Sequence, residues 1–251
     1  MDESEPEQMF SRESRKLEAV AKWRMARAEL VHEGKGPLPL VGEVNMLFQV
    51  IPLDSLDRVP LNSSWRVPEQ RKSQIYATAR PTTFRYNHDG FLASATVGNE
   101  SSAYGYTQIF RSGILEYAVG DCFSSPGNGF APMILGQYLE QEMVRHYENA
   151  TDWLRSSGST SPVYIGFCLL GIASKSFFST IRGLMVGSRS VSPVINIFIS
   201  PETIADPKKE EQSPYGETLL PLVDTMWQLA GYESSPFNIP REGWMPFREY
   251  R

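Results

Sequence analysis

The sequence predicts an α+β fold, a mainly antiparallel sheet flanked by two or three long helices. Three observations predict it. Two long stretches, Ser11 to Glu33 and Ala131 to Leu154, are almost free of helix breakers. Strand-like apolar runs outnumber them, and several of these runs are joined by connections too short for a crossover helix, so they must pair antiparallel. The chain of 251 residues is 41% hydrophobic and 21% charged, enough apolar material for a packed core and too much for a disordered chain.

Ser11 to Glu33 contains neither Gly nor Pro and stops at Gly34 and Gly36, as a long helix does. Phe10, Leu17, Val20, Ala21, Ala28 and Val31 form one apolar strip and Trp23 with Leu30 a second, so Leu17 and Val20 are expected to be buried. Arg24 interrupts the first strip. As an anion ligand it would be functional; as a paired or snorkelling arginine it is structural, and the structural reading is favoured. Residues 1–9, with Asp2, Glu3, Glu5 and Glu7, read as an acidic disordered tail, and 10–251 as a single α+β domain.

Val44 to Pro52 is apolar on both alternations, the signature of a strand covered on both faces. Leu53 to Pro81 breaks into prolines and mixed charge and reads as a surface connection with one short helix. Gly90 to Val97, Tyr104 to Arg111 and Ile114 to Val119 follow as strands, and Arg111-Ser112-Gly113 suits a hairpin loop with a left-handed Gly. The second long helix begins near Ala131 with Pro132 in its first turn and carries Leu135, Leu139, Met143, Ala150, Trp153 and Leu154 on its apolar side. Val163 to Ile172 and Val194 to Ile199 read as strands buried on both faces, separated by the Ser-rich loop Ala173 to Pro193. Leu220 to Ala230 is the last helix, with Pro221 in its first turn and Gly231 as its stop.

Charge and cysteine content narrow the function. Lys+Arg 24 against Asp+Glu 29 gives a net charge of -5, which argues against a broadly basic nucleic-acid binder. No apolar run reaches the length of a membrane span, and the N-terminus is acidic where a signal peptide would be basic, so a cytoplasmic location and no membrane partner are expected. Cys122 and Cys168 are too few for a disulfide framework and read as free thiols; His32, His88 and His146 are too scattered for a metal pair. The expectation is no metal and no cofactor. The sequons at Asn62, Asn99 and Asn149 are treated as chance.

Three constellations have chemical potential. Glu142 and His146, four apart on the second helix, have the spacing of a carboxylate that orients a general base, and with a polar partner such as Asp89 they would make a hydrolase. The same spacing is an ordinary structural pair, which is favoured. Arg85-Tyr86-Asn87-His88-Asp89-Gly90 would put Arg85, His88 and Asp89 at a site rim; a turn closed by Asn87 and Asp89 with a positive φ at Gly90 explains the same residues and is favoured. Trp153 to Pro201 lacks any Asp or Glu and carries Arg155, Lys175, Arg182 and Arg189 among eleven serines, a stretch able to contact phosphates weakly and in a salt-sensitive manner. No nucleophile elbow, Walker loop or dinucleotide glycine fingerprint occurs.

At the C-terminal end Leu219-Leu-Pro-Leu-Val-Asp-Thr-Met-Trp-Gln-Leu-Ala-Gly-Tyr, then Ser234-Ser-Pro-Phe-Asn and Gly243-Trp244, resemble the region that follows the Alba-like domain of the Schlafen type in a group of bacterial proteins labelled putative DNA-binding or ATP-binding. Pro37 to Leu56, Tyr86-Asn87 with Asp89-Gly90, Ile109 to Ile114 and Cys168-Leu-Leu-Gly-Ile172 fall in the same order as in that group. The Alba-like domain itself is not in this sequence, which is expected to be a fragment or a stand-alone version, so the resemblance assigns no DNA-binding residue here. It implies a non-catalytic accessory module, binding a partner protein or its own copies, in a bacterial system that handles or senses nucleic acid. Direct phosphate contact through Arg155, Lys175, Arg182 and Arg189 is the alternative.

Overall fold

The computed structural model describes residues 5–55, 67–72, 75, 77–78, 80, 82–98, 101–124, 133–159, 162–178, 180–181, 184–185, 189–206, 216–239 and 243–244. Its helices are α1 (Glu5–His32), α2 (Glu69–Lys72), α3 (Gly136–Ser156) and α4 (Gly216–Gln228). The strands are β1 (Asn45–Pro52), β2 (Thr83–Tyr86), β3 (Gly90–Val97), β4 (Ser102–Phe110), β5 (Leu115–Val119), β6 (Phe123–Ser124), β7 (Met133–Leu135) and β8 (Val163–Leu170). After them come β9 (Ser176–Phe178), β10 (Thr180–Ile181), β11 (Leu184–Met185), β12 (Arg189–Ser190), β13 (Ile197–Ile199), β14 (Thr203–Ala205), β15 (Asn238–Ile239) and β16 (Gly243–Trp244).

Eight strands form one open antiparallel sheet in the order β13-β8-β1-β5-β4-β3-β2, with β14 also paired to β8. β1 and β8 pair from Asn45↔Leu170 to Pro52↔Val163 and form its buried centre, as their continuous apolar runs require. A smaller sheet, β12-β9-β7-β6, contains a parallel β7–β9 pair. The protein is therefore α+β with a mainly antiparallel sheet and long helices, and no described helix is long and apolar enough to cross a membrane.

The hairpin turn at Gly113 forms as read, with φ +91 and its N–H donating to Phe110 at 2.9 Å. Gly34, at φ +71, closes α1 while Lys35 N–H returns to the Leu30 carbonyl. Other expectations need correction. α3 starts at Gly136, since Met133–Leu135 is a strand. α4 starts at Gly216, which places Pro221 inside the helix, where one i to i−4 bond is missing. Val194 to Ile199 shortens to β13, which is half-buried and leaves Val194 86% exposed, because it lies at the sheet edge rather than inside it. Val20 is fully buried but Leu17 is 41% exposed, so α1 presents only one side to the sheet.

That side meets a row of polar residues. Cross-strand register aligns Gln108 on β4, Glu116 on β5, Gln49 on β1 and Gly166 on β8. Gly166 leaves room for the Arg24 guanidinium: an added Cβ would lie 2.4 Å from its Nη2. Arg24, 1% exposed, donates from Nε to Gln49 Oε1 at 3.2 Å and from Nη2 to the Phe167 carbonyl at 2.9 Å. Its Nη1 donates to the Ser200 carbonyl and to Glu202 Oε1, both at 2.8 Å. Glu116, fully buried, accepts from Arg27 Nη2 at 2.6 Å, Arg27 Nε at 3.1 Å, the Tyr106 hydroxyl at 3.0 Å and Gln49 Nε2 at 3.2 Å. Burial works to lower the pKa of the Arg27 guanidinium, but its bond to Glu116 and that residue's charge outweigh burial and hold the pKa above its ordinary value. Every charge at this depth is thus paired and hydrogen-bonded, the condition under which burial is tolerated.

Candidate functional site

One residue along the same strands, the opposite face presents Phe167, Phe48, Tyr117 and Thr107, and α3 lies over it. Its Glu142, His146, Asn149 and Trp153 recur at helical spacing on the side turned to this row. The His146 ring stacks on Tyr117 with centroids 4.5 Å apart and on Phe48 at 6.5 Å. It is fully buried, and burial, with a smaller contribution from Arg145, takes its pKa down to about 3. The imidazole is therefore neutral at physiological pH. Its Nε2 lies 3.5 Å from Glu142 Oε2, while Glu142 Oε1 accepts from Arg145 at 2.5 Å. Glu142 and His146 are brought together and both are buried, with the imidazole between Tyr117 and Phe48.

Asp89 is not brought to them. It sits in the exposed β2–β3 turn, 3.4 Å from His88 Nδ1, and its charge acts on Arg27, which belongs to the α1 face. The sheet stands between Asp89 and the α3 pair. The turn itself is built as its residue types predict: Asn87 Oδ1 accepts from Gly90 N–H at 2.9 Å, and Asn87 Nδ2 donates to Gln108 Oε1 at 2.7 Å. Gly90 has φ +151, and an added Cβ would lie 2.1 Å from the Ile109 carbonyl oxygen. Arg85, on β2, is exposed and makes no ion pair or hydrogen bond among the described residues.

The basic segment disperses. Lys175 Nζ donates to Glu43 Oε2 at 2.5 Å, tying the loop after β8 to the approach to β1. Arg189 donates to the Gly231 carbonyl beyond α4 and lies over the Tyr232 ring, 4.7 Å from its centroid, a favourable place for a cation at a helix C-terminus. Arg155 is exposed in the last turn of α3, and Arg182 lies outside the described residues. Lys175 and Arg189 therefore serve two different elements. Both cysteines are free and buried; burial pushes both thiols up, Cys168 to about 12, so neither is a ready nucleophile.

Beside the aromatic sandwich opens a cleft of about 440 Å³, lined among the described residues by Ile75, Asn149, Asp152, Trp153 and Ser156. The Tyr117 hydroxyl, whose pKa burial pushes well up so that it stays protonated, donates to Asn149 Oδ1 at 3.5 Å at the margin of this cleft. Asn149, Asp152 and Ser156 recur at i, i+3 and i+7 along α3, a polar line bordering the apolar stripe. That line is visible in the sequence, but a search for acid–imidazole pairs passes over it. In the string at 219–237, Leu219, Leu222, Val223, Met226, Trp227, Ala230 and Phe237 are buried. The Trp227 ring covers Gly136, where a Cβ would meet it at 2.3 Å, and buried Glu140 accepts from Trp227 Nε1 at 2.5 Å and Ser235 Oγ at 2.6 Å. No protein-family model, curated protein or solved structure matches this chain.

Proposed function

We propose that this chain is a non-catalytic interaction module of a bacterial, cytoplasmic system that handles or senses nucleic acid, binding a partner protein or its own copies. One observation carries the reading: the β2 edge of the large sheet is open among the described residues. All four of its residues are exposed, Phe84 by 36% and Tyr86 by 49%, with Arg85 between them. An edge strand offers unpaired backbone donors and acceptors to an incoming strand, and exposed aromatic residues beside it add apolar contact. Phe84 and Tyr86 already pack on Phe91, at 6.1 and 5.2 Å between centroids, so their rings are held in place before a partner arrives. The nucleic-acid context rests on the resemblance of the ordered motifs to the region after the Schlafen-type Alba-like domain.

Sedimentation velocity tests the reading, on the chain alone over a concentration series and mixed with a separately produced Alba-like domain of that type. Wild type is expected to associate in at least one of these runs, and Phe84→Lys/Tyr86→Lys in neither. A wild type that stays monomeric in both, or a variant that associates as wild type does, refutes it.

A further inference from the structure

The cleft at the end of α3 has an electrostatic character of its own. Asp152 is the one charged group among its described lining residues, and its side chain is exposed and makes no ion pair or hydrogen bond among the described residues. Arg155 lies three positions on along α3, and Arg145 is held by Glu142. Asn149 and Ser156 stand on either side of Asp152 along the helix, and Ile75 and the largely buried Trp153 supply apolar wall. A second, independent term has the same sign. α3 is 21 residues long and ends at Ser156, so the cleft lies at its carbonyl end, where the helix dipole favours positive charge. A volume of about 440 Å³ falls in the range of small-molecule sites.

We propose that this cleft binds an organic cation, an alkylammonium or guanidinium group that donates to Asp152 and lays its apolar part against Trp153 and Ile75. The carboxylate supplies charge-assisted hydrogen bonds, and the aromatic and aliphatic wall selects an organic cation over a hydrated metal ion. The same group occurs on a free polyamine and on a lysine or arginine side chain of a protein partner.

Isothermal titration of the full chain at low ionic strength, where a surface-accessible carboxylate is least screened, tests the proposal. The probes are spermidine, Nα-acetyl-lysine amide and Nα-acetyl-arginine amide, with sodium phosphate as the anionic counterpart. Saturable one-site binding of at least one cation is expected, weakened by about tenfold or more in Asp152→Asn. Asp152 is exposed, so the variant should keep the wild-type thermal midpoint. Arg155→Ala should bind at least as tightly as wild type, since it removes a neighbouring positive charge. Tighter binding of spermidine identifies a free polyamine as the ligand type, and tighter binding of a blocked amino acid identifies a protein side chain. Saturation by none of the cations, Asp152→Asn binding like wild type, or phosphate binding as well as the cations would overturn the proposal.

Discussion

The two faces of the central sheet are made by neighbouring residues of the same strands and are held by different physics. Gln49 and Glu116 point to α1 and are met by Arg24 and Arg27, while Phe48 and Tyr117, one position away, point to α3 and are met by His146. The α1 face is directional: its stability depends on each donor finding its acceptor. The α3 face is volumetric, and depends on rings filling space. A period of two residues along a strand is enough to keep the two regimes apart.

Removing one partner from each face separates these regimes most strongly. Glu116→Ala should cost about 3 to 5 kcal/mol in urea unfolding, because it strands Arg27, Tyr106 and Gln49 at once. Phe48→Ala should cost about the same, through a cavity. The difference lies in rescue: adding Arg27→Met and Tyr106→Phe to Glu116→Leu should restore much of the loss, since it removes the stranded charge and hydroxyl together, whereas no polar substitution rescues Phe48→Ala. Equal losses with no rescue on the α1 face would erase the distinction.

Gly166→Ala is a finer probe and should cost about 1 to 3 kcal/mol, since the new methyl displaces the Arg24 guanidinium. In an Arg24→Met background the same substitution should be nearly silent, and a full cost there would show that Gly166 answers to something other than Arg24.

The α3 face should reveal itself through pH. Folded His146 stays neutral down to about 3, while the unfolded imidazole takes up a proton below about 6.5. Unfolding therefore binds a proton in that window, and stability is lost as pH falls through it, by up to about 1.4 kcal/mol per unit. His146→Phe should flatten the profile between about pH 6.5 and 5, above the range where carboxylates titrate; an unchanged slope would mean that the imidazole is charged in the fold. At the small end, Lys175→Ala should leave the unfolding midpoint where it is, because the Glu43 side chain is 76% exposed and water replaces the contact.

The strands and their turns were legible because period and punctuation are local: β3 runs from Gly90 to Val97 as its residues indicate, and Gly113 takes the left-handed position that its hairpin needs. The site chemistry was less legible because it depends on pairings far apart in sequence. Gln49 is one polar residue in an apolar run and Gly166 one glycine in another, and only strand register places them side by side. Gly166 did carry a signal, since a glycine inside a strand marks close approach of another group. Leu17 misled because a strip of apolar residues on α1 is wider than the side that docks. The pairing of Glu142 with His146 followed from their spacing, yet its depth did not, since nothing local says that Tyr117 and Phe48 close over the ring.

Arg24 also sets an order of events. Its partners Phe167, Ser200 and Glu202 lie as far as 178 positions further along the chain. At a synthesis rate of about 5 to 20 residues per second, α1 emerges roughly 10 to 40 s before the last of them. Within that interval Ala28 and Val31 can already meet Leu47, Leu92, Tyr106 and Ala118, and Arg27 can meet Glu116, while the Arg24 guanidinium, buried in the finished fold, still lacks most of its acceptors. The helix is thus docked in stages, and its Arg24 is the part secured last.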